Sequence, residues 1–134
     1  METIGFIGLG IMGKPMCKNL MKAGYKTVVF DVVPAAVQEM VAEGAEAASS
    51  PAEVASKVKR MITMLPDSPQ VKQVVTGPKG ILEGASAGSI IIDMSSIAPL
   101  AAKEVHDAAK VKGVRMLDAP VSGRMIATIA DQHK

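Results

Sequence analysis

The stretch Ile4-Gly5-Phe6-Ile7-Gly8-Leu9-Gly10-Ile11-Met12-Gly13 decides how the rest of the chain is read. Its apolar half, Ile4 to Leu9, has the length of a buried strand and runs straight into a G-x-G-x-x-G pattern. Helical period follows over Met12 to Ala23: Met12, Met16 and Leu20 recur at i, i+4 and i+8, with Lys14, Lys18 and Lys22 on the opposite side. The apolar set is expected to face the core, and the lysine stripe is expected to be a solvated face. A second apolar run, Thr27 to Asp31, ends in an acidic residue eighteen positions after Gly13. The glycine pattern alone is weak. Strand before, helix after and acid at the end of the next strand together make it the fingerprint of a dinucleotide-binding turn.

Each residue of that turn has a physical task. Gly8 permits the tight turn, Gly10 lets the backbone approach a pyrophosphate, and Gly13 lets the helix pack close to the sheet. The helix start offers unpaired N–H groups and about half a positive charge to the anion. Asp31 would accept hydrogen bonds from the adenosine ribose hydroxyls and repel a 2′-phosphate, and Val32, Val33 and Pro34 supply no group that would welcome one. NAD is therefore expected, with NADP as the alternative. The expected cofactor contacts here are Gly8, Leu9, Gly10, Ile11, Met12, Gly13 and Asp31. A flavin or a methyl-donor nucleoside could use the same turn.

Working outward, short apolar runs alternate with helical segments along the chain. The runs are Ile4 to Leu9, Thr27 to Asp31, Arg60 to Leu65, Ser89 to Met94 and Val114 to Ala119, with a weaker one near Ala45 to Ala48. Helices are expected over Met12 to Ala23, Pro34 to Glu43, Pro51 to Lys57, Ser68 to Val75 and Pro99 to Lys112. This alternation predicts an α/β fold with a doubly wound, mostly parallel sheet of six strands. Pro34, Pro51, Pro69 and Pro99 sit at first-turn positions, Ser50 and Ser68 can cap, and Gly24, Gly44 and Gly113 can stop helices.

Composition narrows the function classes. A chain of 134 residues suits one domain, and 49% hydrophobic with 21% charged residues is far from disorder. A net charge of +2 and three aromatic rings, Phe6, Tyr25 and Phe30, give neither the field nor the stacking platform for nucleic acid. The single cysteine, Cys17, excludes a disulfide framework and fits a reducing, cytoplasmic setting. Cys17 itself is expected to be a small structural residue, its pKa lowered somewhat by the nearby helix start. His106 and His133 are isolated and predict no metal site. Asp93 and Asp118 are expected to be turn or hydrogen-bonding residues rather than an acid pair. No apolar run approaches membrane-spanning length, and no targeting segment is visible at the N-terminus.

Four stretches, in order, carry a family resemblance. They are Gly5-Phe6-Ile7-Gly8-Leu9-Gly10-Ile11-Met12-Gly13-Lys14-Pro15-Met16, Ile62-Thr63-Met64-Leu65-Pro66, Ile92-Asp93-Met94-Ser95-Ser96-Ile97-Ala98-Pro99 and Asp118-Ala119-Pro120-Val121-Ser122-Gly123. The chain resembles the β-hydroxyacid dehydrogenases, which include 3-hydroxyisobutyrate dehydrogenase and 6-phosphogluconate dehydrogenase. Within that family it looks most similar to the tartronate semialdehyde reductase (2-hydroxy-3-oxopropionate reductase) branch, with a 3-hydroxyisobutyrate-type substrate as the alternative. The resemblance implies that Met64, Leu65 and Pro66 lie along the cofactor and that Ser96 contacts its nicotinamide side. It also implies that Ser122 and Gly123 hold the carboxylate of a small substrate. Bland roles exist as well: Pro66 as a turn former, and Ser95 or Ser96 as the cap of the helix near Pro99.

The sequence departs from the family at Arg124. The resemblance therefore implies a dinucleotide-binding domain over 1–123 and a divergent tail over 124–134. The family's catalytic lysine and helical second domain have no counterpart, so no catalytic residue is assigned. Two readings follow: a cofactor-binding domain of a hydride-transferring enzyme, or a catalytically silent binding or partner module. A face that relatives cover would then be open, which predicts self-association into a homo-oligomer.

Overall fold

The computed structural model describes residues 2–95 and 97–119. The chain alternates β1 (Thr3–Ile7), α1 (Gly13–Lys22), β2 (Lys26–Phe30), α2 (Pro34–Ala42), β3 (Glu46–Ala47), α3 (Pro51–Lys57) and β4 (Arg60–Thr63). It continues with α4 (Ser68–Thr76), α5 (Ile81–Gly84), β5 (Ile90–Asp93), α6 (Pro99–Val111) and β6 (Arg115–Asp118). All six strands pair in parallel, in the order β3-β2-β1-β4-β5-β6. That order is the doubly wound Rossmann arrangement, in which the chain reverses direction across the sheet between β1 and β4.

Strand alternation distributes apolar residues to both faces of this sheet. Ile4, Phe6, Val29 and Ile62 pack with Met16, Cys17 and Leu20 of α1 and Val37 and Met40 of α2. Ile7, Val28, Met61 and Ile91 pack on the other side with Val54 of α3, Val71 and Val75 of α4, Ile81 of α5 and Val105 of α6. Two cores, one per face, thus make the sheet interior dry. No helix among the described residues is long and apolar enough to cross a membrane.

Helix ends follow the local chemistry. After α1 the Gly24 N–H donates to the Met21 carbonyl and the Tyr25 N–H to that of Leu20, a six-to-one closure known as the Schellman motif. The same pair of bonds closes α2 at Gly44 and α6 at Gly113. Ser50 caps α3, its hydroxyl accepting from the Glu53 N–H at 3.1 Å. Glu53 reaches back to accept from the Ser49 N–H and hydroxyl.

Several expectations are corrected. Ser68 does not cap α4: Asp67 does, accepting from the Ser68 N–H at 2.7 Å. The Ser95 cap expected for α6 does not form, because Ala98 is its N-cap and the Ser95 hydroxyl accepts from the Leu65 N–H instead; the same expectation for Ser96 lies outside the described residues. Met12 is half-exposed at the start of α1 and is no core residue. Burial pushes the Cys17 thiol up to about 11, opposite to the lowering expected from the helix start. The short helix α5 has no signal in the sequence, since four residues are too few to display a helical period.

The expected strands also run past the ladders at their carboxyl ends. Leu9 and Met94 are as buried as strand residues, so the apolar runs continue where regular pairing has stopped. Those overruns form the loops at one edge of the sheet.

Candidate dinucleotide-binding site

The glycine turn leaves β1 between β2 and β4. Its Gly8 N–H donates to the Phe30 carbonyl at 3.1 Å, and the Met64 N–H donates to the Ile7 carbonyl at 2.9 Å. Gly8 has φ +102°, and a Cβ on it would run into the Met64 carbonyl. Gly13 is equally crowded, for a Cβ there would meet the Gly8 carbonyl, so this glycine lets the helix begin hard against the turn. At Gly10 the position a Cβ would take has nothing within 4 Å of it. That open space over a backbone segment is what an approaching diphosphate requires.

Asp31 directly follows β2. Its Oδ2 accepts from the Leu9 N–H at 2.6 Å, and its Oδ1 accepts from the Val33 N–H at 2.8 Å. The carboxylate is thereby fixed beside the glycine turn, with lone pairs left over for further donors. α1 carries no acidic residue in its first turn, and its first bond runs from the Lys14 N–H to the Gly10 carbonyl at 3.1 Å. The N–H groups ahead of Lys14 are those that a helix start offers to an anion.

These groups converge on a cleft of about 750 Å³. It is lined by Gly8, Gly10, Ile11, Met12 and Gly13, by Asp31, and by Met64, Leu65 and Pro66. Leu9 lies in the same turn with its side chain buried and contributes its N–H to Asp31. Ser96, Ser122 and Gly123 lie outside the described residues. The cleft also takes in Val32 and Val33, which the sequence places beside the ribose acid, and Pro69, Gln70, Gln73 and Val74, which sequence reasoning does not assign to it. For α4 the spacing of Gln70 and Gln73, one helical turn apart after a proline start, is the available signal.

Behind Met64 to Pro66 stands a polar network. The Thr63 hydroxyl donates to Asp93 Oδ1 at 2.8 Å, the Ser95 N–H donates to the same oxygen at 3.1 Å, and the Leu65 N–H donates to the Ser95 hydroxyl at 2.8 Å. Burial holds the Asp93 carboxyl above the usual carboxylate range, with the Asp118 charge adding to the effect and the Ser95 and Thr63 bonds opposing it. Asp118 is held by His106 Nε2 at 3.1 Å. Asp93 and Asp118 are hydrogen-bonding residues, as expected. No group of three or more metal-ligating side chains exists among the described residues.

A doubly wound parallel sheet with a glycine turn, an acid after β2 and a cleft at the carboxyl ends of its strands defines a dinucleotide-binding domain. The chain belongs to the family described as the NAD binding domain of 6-phosphogluconate dehydrogenase, which matches residues 3–130. It is 49% identical over 120 residues to the mitochondrial 3-hydroxyisobutyrate dehydrogenase of Mus musculus, covering 90% of this chain and 36% of that protein. It is 46% identical over 123 residues to the NAD-dependent L-serine dehydrogenase of Pseudomonas aeruginosa, covering 92% of this chain and 41% of the relative. Among solved structures, the 3-hydroxyisobutyrate dehydrogenase of Mycobacterium tuberculosis with L-serine superposes with a TM-score of 0.85 at 38% identity, over 96% of this chain and 44% of that one. The chain thus spans about two fifths of the length of these relatives.

Proposed function

We propose that the chain is the cofactor-binding portion of a β-hydroxyacid dehydrogenase that moves a hydride between a nicotinamide and a small 3-hydroxy acid or its semialdehyde. Asp31 carries the reading: its carboxylate is tied by the Leu9 N–H to the glycine turn, where it can accept ribose hydroxyls. A bound dinucleotide would accept the hydride from the hydroxy acid in its oxidised form and supply it to the semialdehyde in its reduced form. Gly8 to Gly13 would receive its diphosphate, Asp31 its adenosine ribose, and Met64, Leu65 and Pro66 its nicotinamide half. Among the described residues, those lining the cleft beyond Asp31 on the adenosine side are Val32 and Val33, so a 2′-phosphate would meet one carboxylate and none of the described cations there. NAD is the preferred partner on that ground.

The finer assignments rest on resemblance. Ser96 is proposed to touch the nicotinamide side, and Ser122 with Gly123 to hold the substrate carboxylate. The substrate is proposed to be of the tartronate semialdehyde type. The unit 1–123 with a divergent tail 124–134, and a cytoplasmic setting favoured by the single buried cysteine, belong to the same proposal.

Two measurements test it. Titration calorimetry is expected to give NAD an affinity at least about tenfold above that of NADP, a difference of about 1.4 kcal/mol; equal affinities would remove the role given to Asp31. An assay of NADH oxidation with tartronate semialdehyde, set beside NAD reduction with 3-hydroxyisobutyrate, then ranks the substrates. Binding without turnover on either would favour the silent binding module.

A further inference from the structure

The loops that leave β4 and β5 are joined by a reciprocal pair of hydrogen bonds. The Leu65 N–H of the first loop donates to the Ser95 hydroxyl of the second at 2.8 Å. The Ala98 N–H of the second donates at 3.0 Å to the hydroxyl of Ser68, the first residue of α4, where the first loop ends. Thirty residues separate the partners in each case. Beneath this pair, Thr63 and Asp93 are register partners at the ends of their strands and are themselves hydrogen-bonded, with the Ser95 N–H on the same carboxylate oxygen. Residues 65–68 are therefore held at one end by Ser95 and at the other by Ala98, and the inner end is anchored in the sheet.

This matters because of where the strap lies. Strand order puts Asp31 on the β2 side of the glycine turn and the strap on the β4 and β5 side. A dinucleotide laid from Asp31 across Gly8 to Gly13 reaches Met64, Leu65 and Pro66 with its other nucleoside. We propose that Ser95 and Ser68 are positioning residues, a reciprocal strap that presets the Met64 to Pro66 wall for the nicotinamide half of the dinucleotide. The proposal rests on the cleft being the dinucleotide site. Removing a hydroxyl leaves a backbone N–H unpaired and lets the wall sample other positions, and the affinity falls by the fraction of time it is misplaced.

The test is calorimetric titration of the 134-residue chain with NAD and with AMP. Ser95→Ala is expected to weaken NAD about tenfold while AMP stays within about twofold, and Ser68→Ala to do the same to a smaller degree. A loss shared equally by NAD and AMP, or NAD binding within twofold of the parent, overturns the strap. Asp31→Ala separates the two readings: it should weaken both ligands, and if it weakens neither, the cleft assignment fails and the strap's role falls with it. Amide hydrogen exchange on the parent chain needs no variant. The Leu65 and Ala98 amides, both outside helices and strands, are expected to be protected, and exchange at the rate of open loops would overturn the strap even if the variants did not fold.

Discussion

Three glycines in one hexapeptide do three different things, and single substitutions separate them. Gly8 has a left-handed backbone and no room for a Cβ beside the Met64 carbonyl, so Gly8→Ala combines backbone strain with overpacking and is expected to cost about 2–4 kcal/mol in urea unfolding. Gly10 has open space, so Gly10→Ala should change stability by no more than about 0.5 kcal/mol yet weaken NAD about tenfold or more. Equal stability losses in the two variants would contradict these assignments. Asp93 offers a test by pH. Its folded-state pKa is raised, chiefly by burial, so the fold favours its protonated form. The stability it contributes is full below the unfolded value of about 3.9 and is lost as pH rises through the folded value. Urea unfolding of Asp93→Asn beside the parent should therefore show the parent's relative advantage shrinking from pH 4 to pH 7; an advantage that grows with pH would refute the assignment.

At the level of elements, the sequence is most legible where side-chain chemistry and local geometry coincide. The helix stops at Gly24, Gly44 and Gly113 are readable because each glycine is followed by a buried residue, Tyr25, Ala45 or Val114, that closes over the last turn. Ser50 is readable as a cap, and Ser50→Ala is expected to cost about 1 kcal/mol in thermal or urea unfolding, with no change in NAD affinity because α3 does not line the cleft. Ser68 and Ser95 are not readable in the same way. Ser68 directly precedes Pro69 and Ser95 lies ahead of α6, which suits a cap in the sequence, but their hydroxyls accept from Ala98 and Leu65, thirty residues away, and no local pattern announces a partner at that distance. Helix α5 is hidden for a different reason, being a single turn between Gly80 and its own last residue Gly84 with Ile81 alone buried. Met12 shows the limit of periodicity: it keeps the spacing of Met16 and Leu20 but falls before the helix begins, where the chain turns outward to the cleft.

For the whole molecule, the parallel order and two-faced core follow from apolar runs that show little polar alternation, the mark of strands covered on both sides. The cleft is legible along β1 and β2, where glycine spacing and one acid carry the signal, and only by resemblance along β4, where Met64, Leu65 and Pro66 are chemically bland. The contribution of α4, through Gln70 and Gln73, emerges only when the sheet reversal between β1 and β4 brings that helix over the turn. The central claim is that one dinucleotide lies from Asp31 across the glycine turn to Met64, Leu65 and Pro66. A backbone-amide NMR titration of the chain with NAD tests it most directly. Saturable shifts are expected at residues 8–13, 31–33 and 64–65, with the amides of β3 and of the α6 end at 108–112 unmoved; shifts centred on that far end, or none at millimolar NAD, would contradict it.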